Sequence, residues 1–154
     1  MTQQGPDVED AYDEMFGLIN SAWEAGAPAV NGGTAPPIEW PNMQGDGPPL
    51  NDGNAPWARV SILHDPNGRD RHSLGGSIGS VFTARGTLTV QIFCPTGKQG
   101  LVGPARLGKV LLDAFEGKRG GVVRLTKSTQ REIGRDGTWF QVNVSARFAY
   151  DVAR

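Results

Sequence analysis

The last long segment of the chain reads Trp139-Phe140-Gln141-Val142-Asn143-Val144-Ser145-Ala146-Arg147-Phe148-Ala149-Tyr150. Apolar side chains occupy every second position from Phe140 to Tyr150, and the positions between them, after Trp139, are mostly polar. A period of two directs one set of side chains to each face of a β-strand. The segment therefore predicts a long, half-buried strand.

A helix is predicted at the other end of the chain, over residues 7–25. Asp7 can cap it, and Gly26 and Pro28 are expected to end it. Apolar side chains at helical spacing, with Phe16 alongside, form its predicted buried stripe: Val8, Tyr12, Met15, Ile19 and Trp23.

Residues 26–56 predict a long loop, because six glycines and seven prolines fall within these 31 residues. A loop of this length inside a compact domain is uncommon and is often functional. One short extended piece is expected at residues 38–42, where Pro41 restricts it to a sheet edge or a strand end.

The middle of the chain alternates strand patterns with one helix pattern. A strand is predicted over residues 57–63, followed by a turn centred on residues 65–68. Residues 73–83 look extended but glycine-rich, and residues 87–94 alternate cleanly. Gly103 and Pro104 open a second helix, and strands over residues 122–133 and from Trp139 flank a turn at 134–137. The fold class is thus α+β: a mixed or antiparallel sheet with an N-terminal and a central helix in a single domain.

Composition indicates an ordinary globular chain. Its 154 residues are 38% hydrophobic and 20% charged, and this length suits one domain. No apolar run approaches the ~18 residues of a membrane helix, and residues 1–10 lack the features of a secretion signal. Cys94 is the single cysteine, which excludes an internal disulfide. We expect a soluble chain that is made and kept in a cytoplasm, with no membrane partner.

Charge is divided unevenly along the chain. Residues 1–54 contain nine acids and no Lys or Arg, a net charge of −9, whereas residues 55–154 contain fifteen bases and seven acids, a net charge of +8. One interpretation is a solvated acidic helix beside a mildly basic body. The other is that opposite ends of the subunit attract, so that copies stack or join head to tail.

The patterns that suggest an enzyme lack their structural context. Gly75-Gly76-Ser77-Ile78-Gly79 matches a nucleophile elbow, but Ser77 continues into a strand pattern and both histidines, His64 and His72, precede it. Residues 103–109 resemble a phosphate-binding loop, yet Val110 stands where Ser or Thr would hold magnesium. A hydrolase using Ser77 is therefore retained only as a minor alternative.

Metal and nucleic-acid sites are equally weak predictions. Residues 65–70 are a poor calcium loop because Arg69 takes a ligand position, and Cys94 reads as a small buried hydrophobe. Several bases fall on or near one strand, but the pI of about 6.1 favours a solvated strand face over nucleic-acid binding; they are Arg119, Arg124, Lys127, Arg131 and Arg135. We expect no catalytic residues, cofactor or metal.

The order of these pieces resembles the tail terminator proteins of long-tailed, siphovirus-type bacteriophages. The resemblance covers most of residues 7–152 and rests on order and spacing. Its matching segments are Ile38-Glu39-Trp40-Pro41-Asn42, Trp57-Ala58-Arg59-Val60, Ser73-Leu74-Gly75, Arg85 through Phe93 with Pro95 and Gly97, the helix from Leu107 to Phe115, and the strand from Trp139 to Tyr150.

The resemblance implies a non-enzymatic virion protein, with residues 1–154 forming one tail-terminator-like domain. It implies a homohexameric ring that caps the tail tube, ends tube polymerisation and joins the tail to the head connector or stopper protein. Genomic DNA would pass through the ring without specific binding, and assembly would take place in the host cytoplasm. A neck or head-completion protein that binds only the head side is the main alternative.

Candidate assembly contacts lie at two turns of the predicted fold. They are Arg69, Asp70, Arg71 and His72, and Arg135 and Asp136 at the hairpin tip. We also predict that residues 69–80 and parts of the 26–56 loop become ordered on assembly, because glycine-rich chain has little to fix it.

Overall fold

The computed structural model describes residues 7–41, 55–73, 80–97 and 102–153, without the side chains of residues 67–73, 80, 81, 136 and 153. In these ranges the chain forms two helices, α1 (Val8–Val30) and α2 (Val102–Gly117). It also forms five strands, which are β1 (Ile38–Glu39), β2 (Trp57–Ser73), β3 (Ser80–Pro95), β4 (Val123–Asp136) and β5 (Trp139–Ala153).

The five strands form one mixed sheet in the order β1-β2-β3-β5-β4. β1 pairs with β2 in parallel, and every other pairing is antiparallel. The predicted α+β class is confirmed. Ile38 and Glu39 lie at the sheet edge, as the neighbouring Pro41 predicts.

Both helices pack on one face of the sheet, which we call the covered face. The alternation predicted for the last strand is present, because Val142, Val144, Ala146, Phe148 and Tyr150 are all buried. Leu88, Val90 and Ile92 of β3 join them, together with Leu107, Leu111 and Phe115 of α2. The core is therefore a single apolar layer between the helices and the sheet.

Helix α1 begins as predicted and ends later than predicted. Asp7 and Asp10 form a capping box, in which each side chain accepts a hydrogen bond from the other residue's backbone N–H. The helix then continues through Gly26 and Pro28 to Val30. Gly26 lies within the helix rather than at its end, and its missing side chain allows α2 to approach closely. A Cβ at this position would lie 2.8 Å from Val110 Cγ1.

The predicted loop over residues 26–56 is shorter than expected. Residues 26–30 belong to α1, and Ala27 is fully buried. The chain then crosses to the sheet edge, where the buried Trp23 indole Nε1 donates a 2.7 Å hydrogen bond to the Pro36 carbonyl. Residues 42–54 of the predicted loop lie outside the described residues.

The turn predicted at residues 65–68 is wrong: these residues form a bulge within β2. His64 pairs with Gly86 and Arg69 with Ala84, so four residues of β2 face one residue of β3. The turn-forming residues Pro66, Asn67 and Gly68 are accommodated by this register shift, and pairing then resumes as far as Ser73. β2 and β3 are consequently much longer than the sequence pattern indicates.

One carboxylate ties α1 to the start of β4. Glu14 accepts hydrogen bonds from the backbone N–H groups of Val122 (2.6 Å) and Val123 (3.2 Å), and it forms an ion pair with Lys118. Burial opposes ionisation, but the hydrogen bonds from Lys118 and the two backbone groups prevail and lower the pKa of Glu14. The contact fixes the loop between α2 and β4 against the first half of α1.

Candidate functional site

The second face of the sheet, which we call the open face, carries no described helix. It bears the strand residues that alternate with the buried core residues. Many of these side chains are polar or charged. Gln141 Nε2 donates to Asn143 Oδ1 at 2.8 Å, and Thr129 Oγ1 and Ser145 Oγ share a 3.2 Å hydrogen bond. Leu63, at 73% exposure, also lies on this face.

Aromatic side chains cluster at one end of the open face. The Trp57 ring stacks on Phe93 with a centroid separation of 4.3 Å, and Trp139 meets Trp57 edge-on at 6.3 Å. The Arg59 guanidinium lies 5.2 Å from the Trp57 ring centroid, and its Nε donates to Glu39 Oε2 at 3.3 Å. Trp57 Nε1 is buried and has no hydrogen-bond partner among the described residues.

Basic side chains line a cleft of about 360 Å³ at the opposite end of this face. Phe93 lies eight positions beyond Arg85 in β3, which places the two ends about 26 Å apart. We call this feature the basic cleft; its walls are Arg85, Arg124, Thr126, Lys127, Arg147, Phe148 and Ala149.

Two acids neutralise part of the basic cleft. Arg147 Nη1 donates to Asp65 Oδ1 at 3.1 Å and to Thr87 Oγ1 at 2.7 Å, and Arg124 Nη2 donates to Asp151 Oδ1 at 3.3 Å. The hydrogen bond from Arg147 lowers the pKa of Asp65, so this carboxyl stays ionised. Two of the four bases in the cleft, Arg124 and Arg147, are thus paired with described acids.

A backbone irregularity places one of the bases. The pairing of β4 with β5 changes register between Thr126 and Thr129. Lys127 lies in this interval and has a φ of 52°. Non-glycine residues adopt this left-handed conformation infrequently, and it is often a sign of a local constraint. Here it turns the Lys127 side chain into the wall of the basic cleft.

The predicted contact residues do not come together within one subunit. Arg69 to His72 lie in β2 opposite residues 81–84 of β3, and their side chains lie outside those described. Arg135 is exposed at the far end of β4, where its Nε donates to the Gly137 carbonyl at 3.2 Å, and the Asp136 side chain is also outside the described set. The two groups occupy diagonally opposite corners of the sheet.

The enzyme-like patterns gain no support from the described residues. Ser77 and its neighbouring glycines lie outside them, and Lys109 of the phosphate-loop pattern pairs with Asp113 at 2.6 Å on an exposed helix surface. His64 Nε2 lies 2.6 Å from the Tyr150 hydroxyl, between rings of Tyr12 and Phe148. No group of three metal-ligating side chains occurs in the described ranges.

Cys94 behaves as the sequence predicts. Its side chain is buried on the covered face, and burial raises the pKa of the thiol to about 12. A thiol with this pKa is protonated at neutral pH and is a poor nucleophile.

Sequence reasoning missed the basic cleft as a unit. Arg124 and Lys127 were expected on a solvated strand face, whereas Arg85 and Arg147 come from strands distant in sequence. The sequence contained one indication of this site. The alternation of β5 places Arg147 on the face opposite to the buried residues Ala146 and Phe148. The pairing of Arg85 with Ala149, and of Ala149 with Arg124, is visible only in the folded sheet.

Comparison with solved structures supports the fold first. One solved chain superposes with a TM-score of 0.50 at 21% sequence identity, covering 88% of this chain and 94% of that chain. At this identity the likeness shows a shared α+β fold. A comparison with curated proteins gave no match at a significant level.

The family follows from the sequence match. The model of the phage tail terminator protein family matches residues 18–148, and the chain belongs to this family. Its role is therefore that of a structural component of the phage tail within the virion. In the described part of the chain, no helix combines the length and the apolar character needed to cross a bilayer.

Proposed function

We propose that this protein forms a homohexameric ring that caps the tail tube, ends tube polymerisation and presents a surface to the head connector or stopper protein. The observation that carries the proposal is the family match over residues 18–148. Assembly takes place in the host cytoplasm, and genomic DNA passes through the ring without specific binding.

The distribution of charge supports a closed ring. A ring needs heterologous contacts, in which two different surfaces of each subunit meet. The acids of α1 lie on the helix side of the sheet, and the basic cleft lies on the open face. The six candidate contact residues also divide between two corners of the sheet, which suits a subunit with two unlike surfaces.

The test is electron microscopy of the cognate tail-tube protein polymerising with and without this chain. Capped tubes of limited length, with six-fold density at one end, are expected. Unchanged tube lengths without end density would contradict the proposal and would favour a head-side neck protein.

Two further measurements refine this test. Ser77→Ala should cap tubes as the wild-type chain does, because no serine chemistry is required; loss of a measurable hydrolysis in this variant would favour the enzyme alternative. Residues 69–80 should gain hydrogen-exchange protection on assembly, and equal protection in free and assembled protein would contradict that expectation.

A further inference from the structure

The sheet has two outer edges, and β4 forms one of them. β4 spans 14 residues from Val123 to Asp136 and pairs with β5 on its inner side. No described strand lies on its outer side. An unpaired edge well beyond the roughly five or six residues of a usual strand is a template for pairing with another chain.

Two register shifts divide the edge of β4. They fall between Thr126 and Thr129 and between Glu132 and Gly134. Bulges of this kind restrict which strands can pair with an edge. Thr129–Glu132 is the regular stretch between them, in register with residues 142–145 of β5. We call Thr129–Glu132 the β4 edge segment.

The opposite edge of the sheet is covered only at its start. β1 pairs with Ala58 and Arg59 of β2, and Pro41, which has no N–H, follows β1 in the chain. Beyond these pairs no described strand lies outside β2. Leu63 lies there and, at 73% exposure, is the most exposed large apolar residue in the described ranges. We call Ser61–Leu63 the β2 edge segment.

The backbone hydrogen-bonding directions of the two edge segments match. The Ala58 N–H donates to the Pro37 carbonyl across the outer edge of β2. Because these directions alternate along a strand, Ile62 also directs its N–H and C=O outward. The same alternation, followed through the pairings of β3 and β5, directs the backbone groups of Gln130 and Glu132 outward from β4.

Strand direction matches as well. Three successive antiparallel pairings separate β2 from β4, so these two strands run in opposite directions. Rotation about a ring axis along the strands keeps each strand direction and leaves the covered faces on one side. The β4 edge of one copy therefore meets the β2 edge of the next copy as an antiparallel pair. Pairing of β4 with β4 would instead need a two-fold axis and would close a dimer.

We propose that the β4 edge segment of one subunit pairs with the β2 edge segment of the next copy of this chain. Glu132 then faces Ile62 as a hydrogen-bonded pair. Arg131 lies beside Leu63 on the open face, where its aliphatic stem covers the exposed leucine. The contact is heterologous, because each subunit contributes two different edges. This inference rests on the proposed ring and assigns one of its interfaces.

A disulfide between Leu63→Cys and Arg131→Cys tests the pairing directly. Within one subunit three strand spacings separate β2 from β4, roughly 14 Å, whereas a disulfide needs Cα atoms within about 7 Å. Any bridge between these positions must therefore join two copies. Mild oxidation of the double variant should give a ladder of covalent oligomers up to the hexamer on a non-reducing gel. An equimolar mixture of the two single variants should give heterodimers only.

Matched controls limit the interpretation of the ladder. The wild-type chain should give none, because Cys94 is buried. Leu63→Cys combined with Lys109→Cys, an exposed position of α2, should also give none. Dimers of the Leu63→Cys or Arg131→Cys single variant, without a ladder in the double variant, would show that like edges pair and would overturn the proposal.

A lysine at the β2 edge provides a second test. Leu63→Lys should weaken association at least about tenfold in sedimentation velocity, because the leucine contact is lost and an edge lysine opposes strand pairing. Val102→Lys, at a 58% exposed position of α2, should associate as the wild-type chain does. Far-UV circular dichroism and melting temperature verify that both variants are folded. Where the wild-type chain is monomeric in isolation, oxidation and occupancy are measured on tube ends.

The outcomes distinguish this inference from the proposed function. Wild-type capping by Leu63→Lys, or capping by the double-cysteine variant without a ladder, would overturn the edge contact while the terminator role stands. A ladder formed by chains that never cap tubes would support the contact and overturn the role. A wild-type chain that does not cap, with no ladder from the double variant, would overturn both.

Discussion

On the covered face of β3 the side chains of Leu88, Val90 and Ile92 are fully buried, whereas their neighbours Thr87, Thr89 and Gln91 on the open face are half-buried and polar. The same backbone and the same pairings support both sets. The covered face meets two helices, and the open face meets no helix in the described ranges. The chain therefore uses one sheet for two purposes, with its stability concentrated on the covered face.

The open face is not simply a solvated surface. It carries stacked aromatic rings at one end and a cleft lined by basic side chains at the other. Trp57 buries its indole Nε1 there with no partner among the described residues, although an unmade hydrogen bond of a buried donor costs about 1–3 kcal/mol. In the ring proposed above, such a surface would be available for contacts with other subunits.

The largest expected effect compares one phenylalanine from each face. Phe115→Ala removes a ring that is 1% exposed between α2 and the sheet, and it should lower the free energy of unfolding by about 3–5 kcal/mol. Phe93→Ala removes a half-buried ring of the open face and should cost less than half as much, because less surface returns to water. Urea titrations at neutral pH measure both values. Equal losses would show that the aromatic cluster belongs to the folding core.

The next effect compares the two ion pairs, Glu14 with Lys118 and Asp65 with Arg147. Glu14→Gln should destabilise the chain by roughly 2 kcal/mol at neutral pH, because a charged acceptor of two backbone N–H groups is lost. Asp65→Asn should change the free energy of unfolding less, because its ion pair is partly exposed and solvent screens it.

The pH dependence sharpens this comparison. The pKa of Glu14 in the folded chain lies below its ordinary value of 4.5. Its contribution is therefore fully present above pH 4.5 and is lost as the pH falls through the lower, folded pKa. The difference between wild-type chain and Glu14→Gln should shrink accordingly in urea titrations at acidic pH. A difference that persists unchanged in acid would mean that the carboxylate charge is not the stabilising feature.

Local patterns predicted most elements of this fold, because alternation and helical spacing both report burial within one segment. They succeeded for β5, for α2 and for the capped start of α1. They failed where a contact distant in sequence decided the outcome. Pro66 and Gly68 favour a turn in isolation, but pairing of Arg69 with Ala84 continues the strand beyond them. Gly26 favours a helix end, but packing against Val110 retains the helix.

The candidate site was less predictable for the same reason. The acids of α1 are visible as a run in the sequence, and the net charges of the two regions already suggest attraction between copies. The basic cleft is assembled from β3, β4 and β5, and its residues become neighbours only through the strand order. Arg69 to His72 remain predicted contacts, since their side chains are outside the described set.

The smallest expected effect compares two glycines of α1, one toward solvent and one toward the core. Gly17→Ala adds a methyl group with no atom within 4 Å, and it should stabilise the chain by about 0.5–1 kcal/mol because alanine favours helix. Gly26→Ala gains the same helical preference, but its Cβ would lie 2.8 Å from Val110 Cγ1 and 3.1 Å from Val110 Cγ2. Overpacking of this kind costs about 1–3 kcal/mol, so the net change in the free energy of unfolding should be a loss.

Thermal melts of both variants measure the signs of these changes. A companion variant with both Gly26→Ala and Val110→Ala should recover part of the loss if the clash is its cause. A gain of stability at Gly17 with a loss at Gly26 would show that α1 is tightly packed only on its covered side. A gain at both positions would mean that α1 and α2 approach less closely than the contact with Val110 indicates.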